Sequence, residues 1–314
     1  MSSQTGLQFT QAQPWLMSLI FLSFTWGEPA LSTENTIEKF AESMIAESKA
    51  PSNLVEDAAG TPGFTPAVLT WAINPGPPFH IVSGPLQGQG FCDALIDSIA
   101  QLLPNYQHQK VIVPQGRVLD LLSAPNSQMC FPCMIKREQA PTGVKYTEST
   151  HQFPRHMLIT RQSLLTSTKP ISLQTLLASG KYRYGYPQGR RYGVLDPLLE
   201  TYKTDFPQMV LARSGPGEAD SVLSLIEIGR IDFTVDYPMV LKYHRLMREK
   251  DKEMALKMLA IEENQQHAPQ QAVGCADNPW GRAVVSDINK VIPQVQRSPQ
   301  YLQAKKFWLE DAAH

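Results

Sequence analysis

Hydrophobic residues change spacing repeatedly along the chain, and each change predicts a new secondary-structure element. A β-rich apolar run at 68–73 ends in a Pro- and Gly-rich turn, and apolar residues then recur at helical spacing over 91–103. The alternation continues to the C-terminus. Further strands are predicted at 111–113, 129–135, 157–160, 181–186, 209–212, 231–235, 257–261 and 271–275. Further helices are predicted at 117–123, 173–178, 218–228 and 239–247, with others starting near 196, 279 and 299. Strands that alternate with helices favour parallel sheets covered by helices, in two lobes. The polar stretch 137–155 predicts irregular structure.

The first 32 residues are typical of an export signal. Residues 1–27 carry no charged side chain, and 15–26 form an apolar stretch that is short for a membrane span of ~20 residues but suits a signal-peptide core. Small residues at 30–32 offer a cleavage site. No basic residue precedes the core, which leaves a membrane anchor or a wrongly assigned start as alternatives. Residues 33–65 predict a short polar helix and a linker.

Length and composition limit the classes of protein. A chain of 314 residues with 42% hydrophobic and 18% charged residues is globular and holds about two domains. Lys and Arg (28) nearly balance Asp and Glu (29), which disfavours a nucleic-acid partner. Four cysteines allow one or two disulfides.

Common catalytic and metal-binding motifs are not found. The seven histidines are scattered, and the chain carries no H-E-x-x-H pair, G-x-S-x-G elbow or phosphate-binding loop. Cys130 and Cys133 form a C-x-x-C inside a strand-like run, where such positions point to opposite faces, so core cysteines are favoured over a redox pair. No metal, cofactor or catalytic residue is predicted.

Four groups of segments carry a resemblance through their order and spacing: Pro77-Pro78-Phe79 with Gly88-x-Gly90-Phe91-Cys92-Asp93-Ala94-Leu95, Met134-Ile135-Lys136-Arg137-Glu138 with Tyr146-Thr147-Glu148, Gly189-Arg190-Arg191-Tyr192-Gly193, and Gly229-Arg230-Ile231-Asp232-Phe233-Thr234-Val235-Asp236-Tyr237. Over residues 66–311 the chain resembles the extracytoplasmic solute-binding proteins of the polar-amino-acid type, the type 2 periplasmic binding proteins. Its Gly189–Gly193 loop and its C-terminal tail look closest to a divergent, uncharacterised branch.

The resemblance implies a two-lobed α/β fold. Each lobe would be a mostly parallel sheet flanked by helices, and two crossing strands would form the hinge. The first lobe would comprise 66–155 and 270–314, and the second 156–269. Ligand capture would occur by hinge closure.

The resemblance also implies ligand-binding residues. Phe79 would supply an aromatic wall, although a core role is the alternative. Arg137 would match the carboxylate-binding arginine of the family, but the family register falls on Gln139, and a solvated surface arginine is the alternative. Of two adjacent arginines, Arg191 is favoured to face the cleft.

Three further residues complete the predicted site. Tyr192 would lie beside Arg191. Asp236 would bind an ammonium group, and Tyr237 would wall the pocket. Asp232 is expected to be structural. The family fold also places the strand at 129–135 beside that at 271–275, which implies a Cys130–Cys275 disulfide.

The expected protein is therefore a periplasmic, monomeric binding protein for a small polar, amino-acid-like ligand. Its partner would be an ABC permease or a membrane sensor. Two alternatives stay open. One is a dehydratase-like enzyme on the same fold, with Glu138, Glu148 and His80 as the nearest acid–base candidates. The other is an interaction protein whose cleft has degenerated.

Overall fold

The structure is a computed structural model that describes residues 67–215, 217–248 and 256–310. The signal, helix and linker expected before residue 66 lie outside this range. The strands are Ala67–Ile73 (β1), Tyr106–Ile112 (β2), Met129–Ile135 (β3), Val144–Gln152 (β4), Met157–Arg161 (β5), Tyr184–Pro187 (β6), Val210–Arg213 (β7), Phe233–Asp236 (β8), Leu256–Leu259 (β9) and Gln270–Ala276 (β10). The α-helices are Phe91–Leu102 (α1), Val118–Leu122 (α2), Leu173–Ala178 (α3), Asp196–Asp205 (α4), Glu218–Glu227 (α5), Pro238–Leu246 (α6), Pro279–Val295 (α7) and Pro299–Lys305 (α8).

The strands form two five-stranded sheets, one in each lobe. The first lobe has the order β2-β1-β3-β10-β4 and the second has β7-β6-β8-β5-β9. The two-lobed α/β fold is thereby confirmed. Each sheet is mixed, however, because β10 runs antiparallel to β3 and β4 in the first lobe, and β5 runs antiparallel to β8 and β9 in the second. The parallel pairs join β1 to β2 and β3, and β6 to β7 and β8.

The prediction of irregular structure at 137–155 is wrong, because β4 occupies Val144–Gln152. The strand lies at the edge of its sheet, and its buried positions include the polar residues Thr147, Thr150 and His151. Thr147 shows how these polar groups are satisfied: its hydroxyl oxygen accepts the Val273 amide at 3.0 Å. A strand whose inward positions are polar does not show the alternation by which strands are recognised.

Two short segments cross between the sheets, one between β4 and β5 and the other between β9 and β10. They run side by side. The Phe153 amide donates to the Pro269 carbonyl at 3.0 Å, and the Asn264 side chain donates to the His156 carbonyl at 2.8 Å. The apolar core of the first lobe continues past them, through Phe153 and Tyr237, into α5 and α6 of the second lobe.

Two disulfides join all four cysteines. Cys130 pairs with Cys275, and the two residues lie opposite each other on β3 and β10. Cys92 pairs with Cys133 and ties the start of α1 to β3. The second disulfide places both halves of the C-x-x-C motif in bridges to different elements.

Asp232, at the start of β8, links this strand to β5 and to the residue before β6 in the second lobe. Its carboxylate accepts hydrogen bonds from Arg161 at 2.9 Å and from the backbone and guanidinium of Arg183 at 2.8–3.0 Å. Burial acts to raise the pKa of Asp232, but the hydrogen bonds from Arg183 and Arg161 outweigh it and hold that pKa below its usual value.

A membrane-crossing helix would need to be longer and more apolar than any helix in the described part of the chain.

Candidate functional site

A cavity of about 170 Å³ lies between the two lobes. Its wall includes residues of the first lobe, such as Phe79, His80 and Arg137, and residues of the second lobe, such as Arg190 and Glu218. Phe153 and Gln271, from the start of one crossing segment and from β10 beside the other, also line it. We call this cavity the interlobe cleft.

The turn after β1 positions Phe79 in the cleft. The first amides of α1 bind this turn, because Phe91 and Cys92 donate to the carbonyls of Pro78 and Phe79 at 3.0 Å. Gly90 allows the approach, since a Cβ there would lie 2.3 Å from the Phe79 carbonyl oxygen. The pattern of prolines before the aromatic residue and glycine before the helix thus has a direct physical cause.

Three aromatic rings meet on one side of the cleft. The ring centroid of Phe79 lies 5.6 Å from that of Phe153 and 5.8 Å from that of Tyr237. Tyr237 lies 5.0 Å from Phe153. The structure therefore brings Phe79 and Tyr237 together as an aromatic wall contributed by both lobes, in the geometries that aromatic pairs prefer.

Arg190, not Arg191, is the arginine that enters the cleft. Its side chain is 16% exposed, its Nη2 lies 3.3 Å from Oδ2 of Asp236, and its Cζ lies 4.9 Å from the centre of the Phe79 ring. The preceding Gly189 has a φ of +80°, and a Cβ there would lie 3.3 Å from Gln115 and Gly116 of the first lobe. The glycine therefore lets the loop reach the opposite lobe before the arginine turns inward.

Asp236 lies behind Arg190 instead of in the cleft wall. Its side chain is 2% exposed, Oδ1 accepts the Tyr237 amide at 2.8 Å, and Oδ2 faces Arg190. Burial raises the pKa of Asp236, while the Arg190 guanidinium opposes part of that increase. Both carboxylate oxygens are thus engaged by the chain itself.

Arg191 and Arg137 lie at the rim of the cleft. Arg191 is 51% exposed and reaches Glu200 at 4.0 Å, and Arg137 is 45% exposed and reaches Asp196 of the second lobe at 4.0 Å. Both residues line the cleft. These distant, half-exposed ion pairs hold the guanidinium groups only weakly and leave their positive charge near the opening.

Tyr192 does not line the cleft as expected. It is 2% exposed and belongs to the core of the second lobe, where its ring lies 5.4 Å from that of His156. The Tyr192 amide donates to Oδ1 of Asp196 at 2.8 Å, which fixes the loop against the start of α4 and places the ring in the core of the second lobe. Burial, together with the nearby Arg190 charge, lowers the pKa of His156 to about 3, so this imidazole is neutral at physiological pH.

His80 and Asp93 form a buried pair in the cleft wall. The ring Nδ1 of His80 lies 2.7 Å from Oδ1 of Asp93, whose Oδ2 accepts the amides of Ile81 and Gly90. Because the carboxylate accepts at both oxygens, Nδ1 carries the hydrogen. The His80 Nε2 is buried and has no hydrogen-bond partner among the described residues.

Glu218, which the sequence analysis did not select, also faces the cleft. It is the first residue of α5, directly after Gly217 in a left-handed conformation. Burial raises the pKa of Glu218 to about 7, with Arg190 opposing and Asp236 reinforcing the shift. The glycines around this helix start were the available signal, since such turns bring a helix N-terminus close to another element.

Replacing Glu218 by glutamine should stabilise the protein at about pH 8 and leave stability unchanged at about pH 4. An unfolded glutamate has a pKa of about 4.3. Between that value and about 7 the unfolded chain has released a proton that the folded chain still holds, so stability falls as pH rises. Glutamine cannot ionise and escapes this loss. Because Glu218 is partly exposed, we expect a gain of about 1–2 kcal/mol by urea unfolding.

The matched control is Glu138→Gln at an exposed position, which should leave the free energy of unfolding unchanged at both pH values. An equal effect of Glu218→Gln at the two pH values would contradict the assigned pKa.

No group of three or more His, Cys, Asp and Glu residues suited to hold a metal ion occurs within residues 67–215, 217–248 and 256–310.

Comparison with known proteins gives matches in structure but not in sequence. No family model and no curated protein sequence matches this chain.

Three solved structures superpose on most of the chain. The substrate-binding protein of an amino acid ABC transporter is 16% identical, with a TM-score of 0.57 over 78% of this chain and 100% of its own. A histidine kinase sensor domain similar to periplasmic binding proteins is 13% identical, with a TM-score of 0.56 over 77% of this chain and 96% of its own. An ancestral amino-acid-binding protein, a precursor of cyclohexadienyl dehydratase, is 12% identical, with a TM-score of 0.56 over 77% and 96%. The chain thus has the two-lobed α/β fold of the type 2 periplasmic binding proteins, as the sequence resemblance implied.

Proposed function

We propose that this protein is an exported, monomeric solute-binding protein that captures a small polar, amino-acid-like ligand in the interlobe cleft. The lobes, bounded at 66–155 with 270–314 and at 156–269, would close around the ligand about the two crossing segments. An ABC importer or a membrane sensor would read the closed state. The solved structures of similar fold include a transporter protein and a sensor domain, which supports both kinds of partner.

One observation carries this proposal. Both lobes contribute polar and aromatic groups to one cavity, in which Arg190 of the second lobe lies over Phe79 of the first. A cavity with an aromatic wall and a few convergent polar groups is the usual form of a small-molecule site. A ligand held there would contact both lobes and would therefore stabilise the arrangement in which they meet.

Thermal-shift screening of the purified protein with amino acids, short peptides and organic acids tests the proposal. We expect at least one compound to raise the melting temperature, to bind at one site by calorimetry, and to decrease the radius of gyration in solution scattering. Phe79→Leu should weaken that binding by about tenfold, while Phe206→Leu, outside the cleft, should not. Silence across the panel would contradict the proposal and favour an interaction protein with a degenerate cleft.

An enzyme on the same fold is a second candidate, and the His80–Asp93 pair favours it. An imidazole whose Nδ1 is held by a carboxylate and whose Nε2 is free has the arrangement of a general base, and Glu218 in the same cleft holds a proton near neutral pH. Glu138 and Glu148 are exposed or lie away from the cleft wall. Mass spectrometry of each bound compound after incubation separates the two functions: an unchanged ligand supports binding, and turnover that His80→Gln abolishes supports catalysis.

A further inference from the structure

The Arg190 guanidinium occupies the place beside Asp236 that a ligand cation would otherwise take. This guanidinium faces Asp236 at 3.3 Å on one side and the Phe79 ring at 4.9 Å on the other. With 16% of its side chain exposed, it is a fixed part of the wall. A ligand ammonium group would have to displace this ion pair to reach Asp236.

The remaining charges of the cleft are mostly positive. Among the described residues that line it, the groups ionised at neutral pH are Arg137, Arg190, Arg191 and, in part, Glu218. Arg137 and Arg191 contact carboxylates only at 4.0 Å and stay half-exposed. His80 also lines the cleft, with its Nδ1 held by Asp93 and its buried Nε2 without a hydrogen-bond partner among the described residues.

These contacts favour an anionic ligand over a zwitterionic one. A carboxylate that enters the cleft gains the attraction of three guanidinium groups, and guanidinium groups bind carboxylates with paired hydrogen bonds. An ammonium beside that carboxylate gains little, because Asp236 is already neutralised by Arg190, Asp93 is engaged by His80 and two backbone amides, and Glu218 is ionised only in part. On binding, a zwitterion therefore loses the hydration of its ammonium group and gains no ion pair that compensates for the loss.

We propose that the interlobe cleft selects small organic acids that lack the amino group next to the carboxylate, and that Arg190 is the residue that excludes the ammonium group. This inference rests on the proposed solute-binding function and narrows its ligand class from amino-acid-like solutes to their deaminated counterparts. The Arg190 guanidinium takes the position beside Asp236 that the ammonium group of an amino acid would need.

Calorimetric titration with matched pairs tests this inference on the full chain. The pairs are glutamate and glutarate, aspartate and succinate, and phenylalanine and 3-phenylpropionate. In each pair that binds, we expect the acid without the amino group to bind at least about tenfold more tightly than the amino acid. An amino acid that binds as tightly as its partner overturns the inference while leaving the solute-binding function in place.

Arg190→Gln supplies the second arm, because it uncovers Asp236. We expect the variant to gain affinity for the amino acids by at least about tenfold and to lose affinity for the simple acids. The double variant Arg190→Gln/Asp236→Asn should not gain it, and Arg297→Gln, at an exposed position outside the cleft, should keep the preference of the wild type. A gain of affinity in Arg190→Gln supports the inference even if the wild type binds none of the six compounds. That silence of the wild type would count against the proposed function alone.

Absence of binding by both proteins overturns the inference and the proposed function together. If Arg190→Gln does not fold, the preference of the wild type within each pair decides, and silence of the wild type then counts as refutation.

Discussion

Replacing Asp236 by asparagine should lower the free energy of unfolding by about 3–5 kcal/mol. The substitution leaves the Arg190 guanidinium buried beside Phe79 without its counter-charge. An arginine cannot lose its proton to escape this cost, because its pKa lies far above physiological pH. Arg190→Met should cost less, since the uncovered Asp236 can take up a proton instead, and burial already raises its pKa. Urea unfolding of the two variants measures the difference.

The double variant Asp236→Asn/Arg190→Met separates the ion pair from packing. We expect it to be more stable than Asp236→Asn alone, with a coupling energy of at least about 2 kcal/mol. The exposed pair of Arg191 and Glu200 is the matched control, and Arg191→Met with Glu200→Gln should show coupling below about 0.5 kcal/mol. Additive effects of the Asp236 and Arg190 substitutions would mean that the two charges do not depend on each other.

Removing the Cys130–Cys275 disulfide with two alanines should cost about 2–5 kcal/mol of stability. The bridge closes a loop with a sequence separation of 145 residues and joins the neighbouring strands β3 and β10, whose far ends lead into the cleft and the crossing segments. Cys92–Cys133, with a separation of 41, should contribute somewhat less, because a shorter loop restricts the unfolded chain less. Chemical unfolding under non-reducing conditions compares the two double variants.

Reduction of the wild-type protein is the control for lost packing. If the bridges themselves supply the stability, the reduced wild type, which lacks both, should unfold below either double variant and close to a variant with all four cysteines replaced by alanine. Mass mapping of non-reduced peptides should recover the same two pairs, and free thiols at Cys130 and Cys275 would contradict the assignment.

Elements with a strong apolar period were predictable from the sequence. The strand at Met129–Ile135 and the helix at Leu173–Ala178 were predicted with the bounds that the structure has. The strand is a continuous apolar run, and the helix buries Leu173 and Leu177 one turn apart, so each sequence pattern indicates its element directly. β2 was predicted only at its apolar end, because its first residues are polar and lie at a sheet edge, and β4 was missed for a related reason.

The position of the site was predictable, but the exact side chains were not. Phe79 and Tyr237 line the cleft because each follows a strand end in the turn that the sequence pattern marks. Which of Arg190 and Arg191 points inward depends on the φ of Gly189 and on Asp236, three-dimensional facts that adjacent identical residues do not reveal.

The roles of the two carboxylates near the cleft, Asp236 and Glu218, depend on buried charges that the sequence does not show. Asp236 was expected to face a ligand, yet its oxygens are used by Arg190 and the Tyr237 amide. Glu218 was predicted only as the first residue of a helix, and the packing of the lobes brings it into the cleft and raises its pKa to about 7. Such effects depend on distances between elements far apart in the chain, which no local pattern encodes.

The most direct test of the central claim is a crystal structure of the protein grown with its tightest-binding small acid. We predict ligand density in the interlobe cleft, in contact with Phe79 of the first lobe and with Arg190 of the second, and with the carboxylate facing the guanidinium groups. Density at any other place, or a cleft without ligand at saturating concentration, would contradict the account.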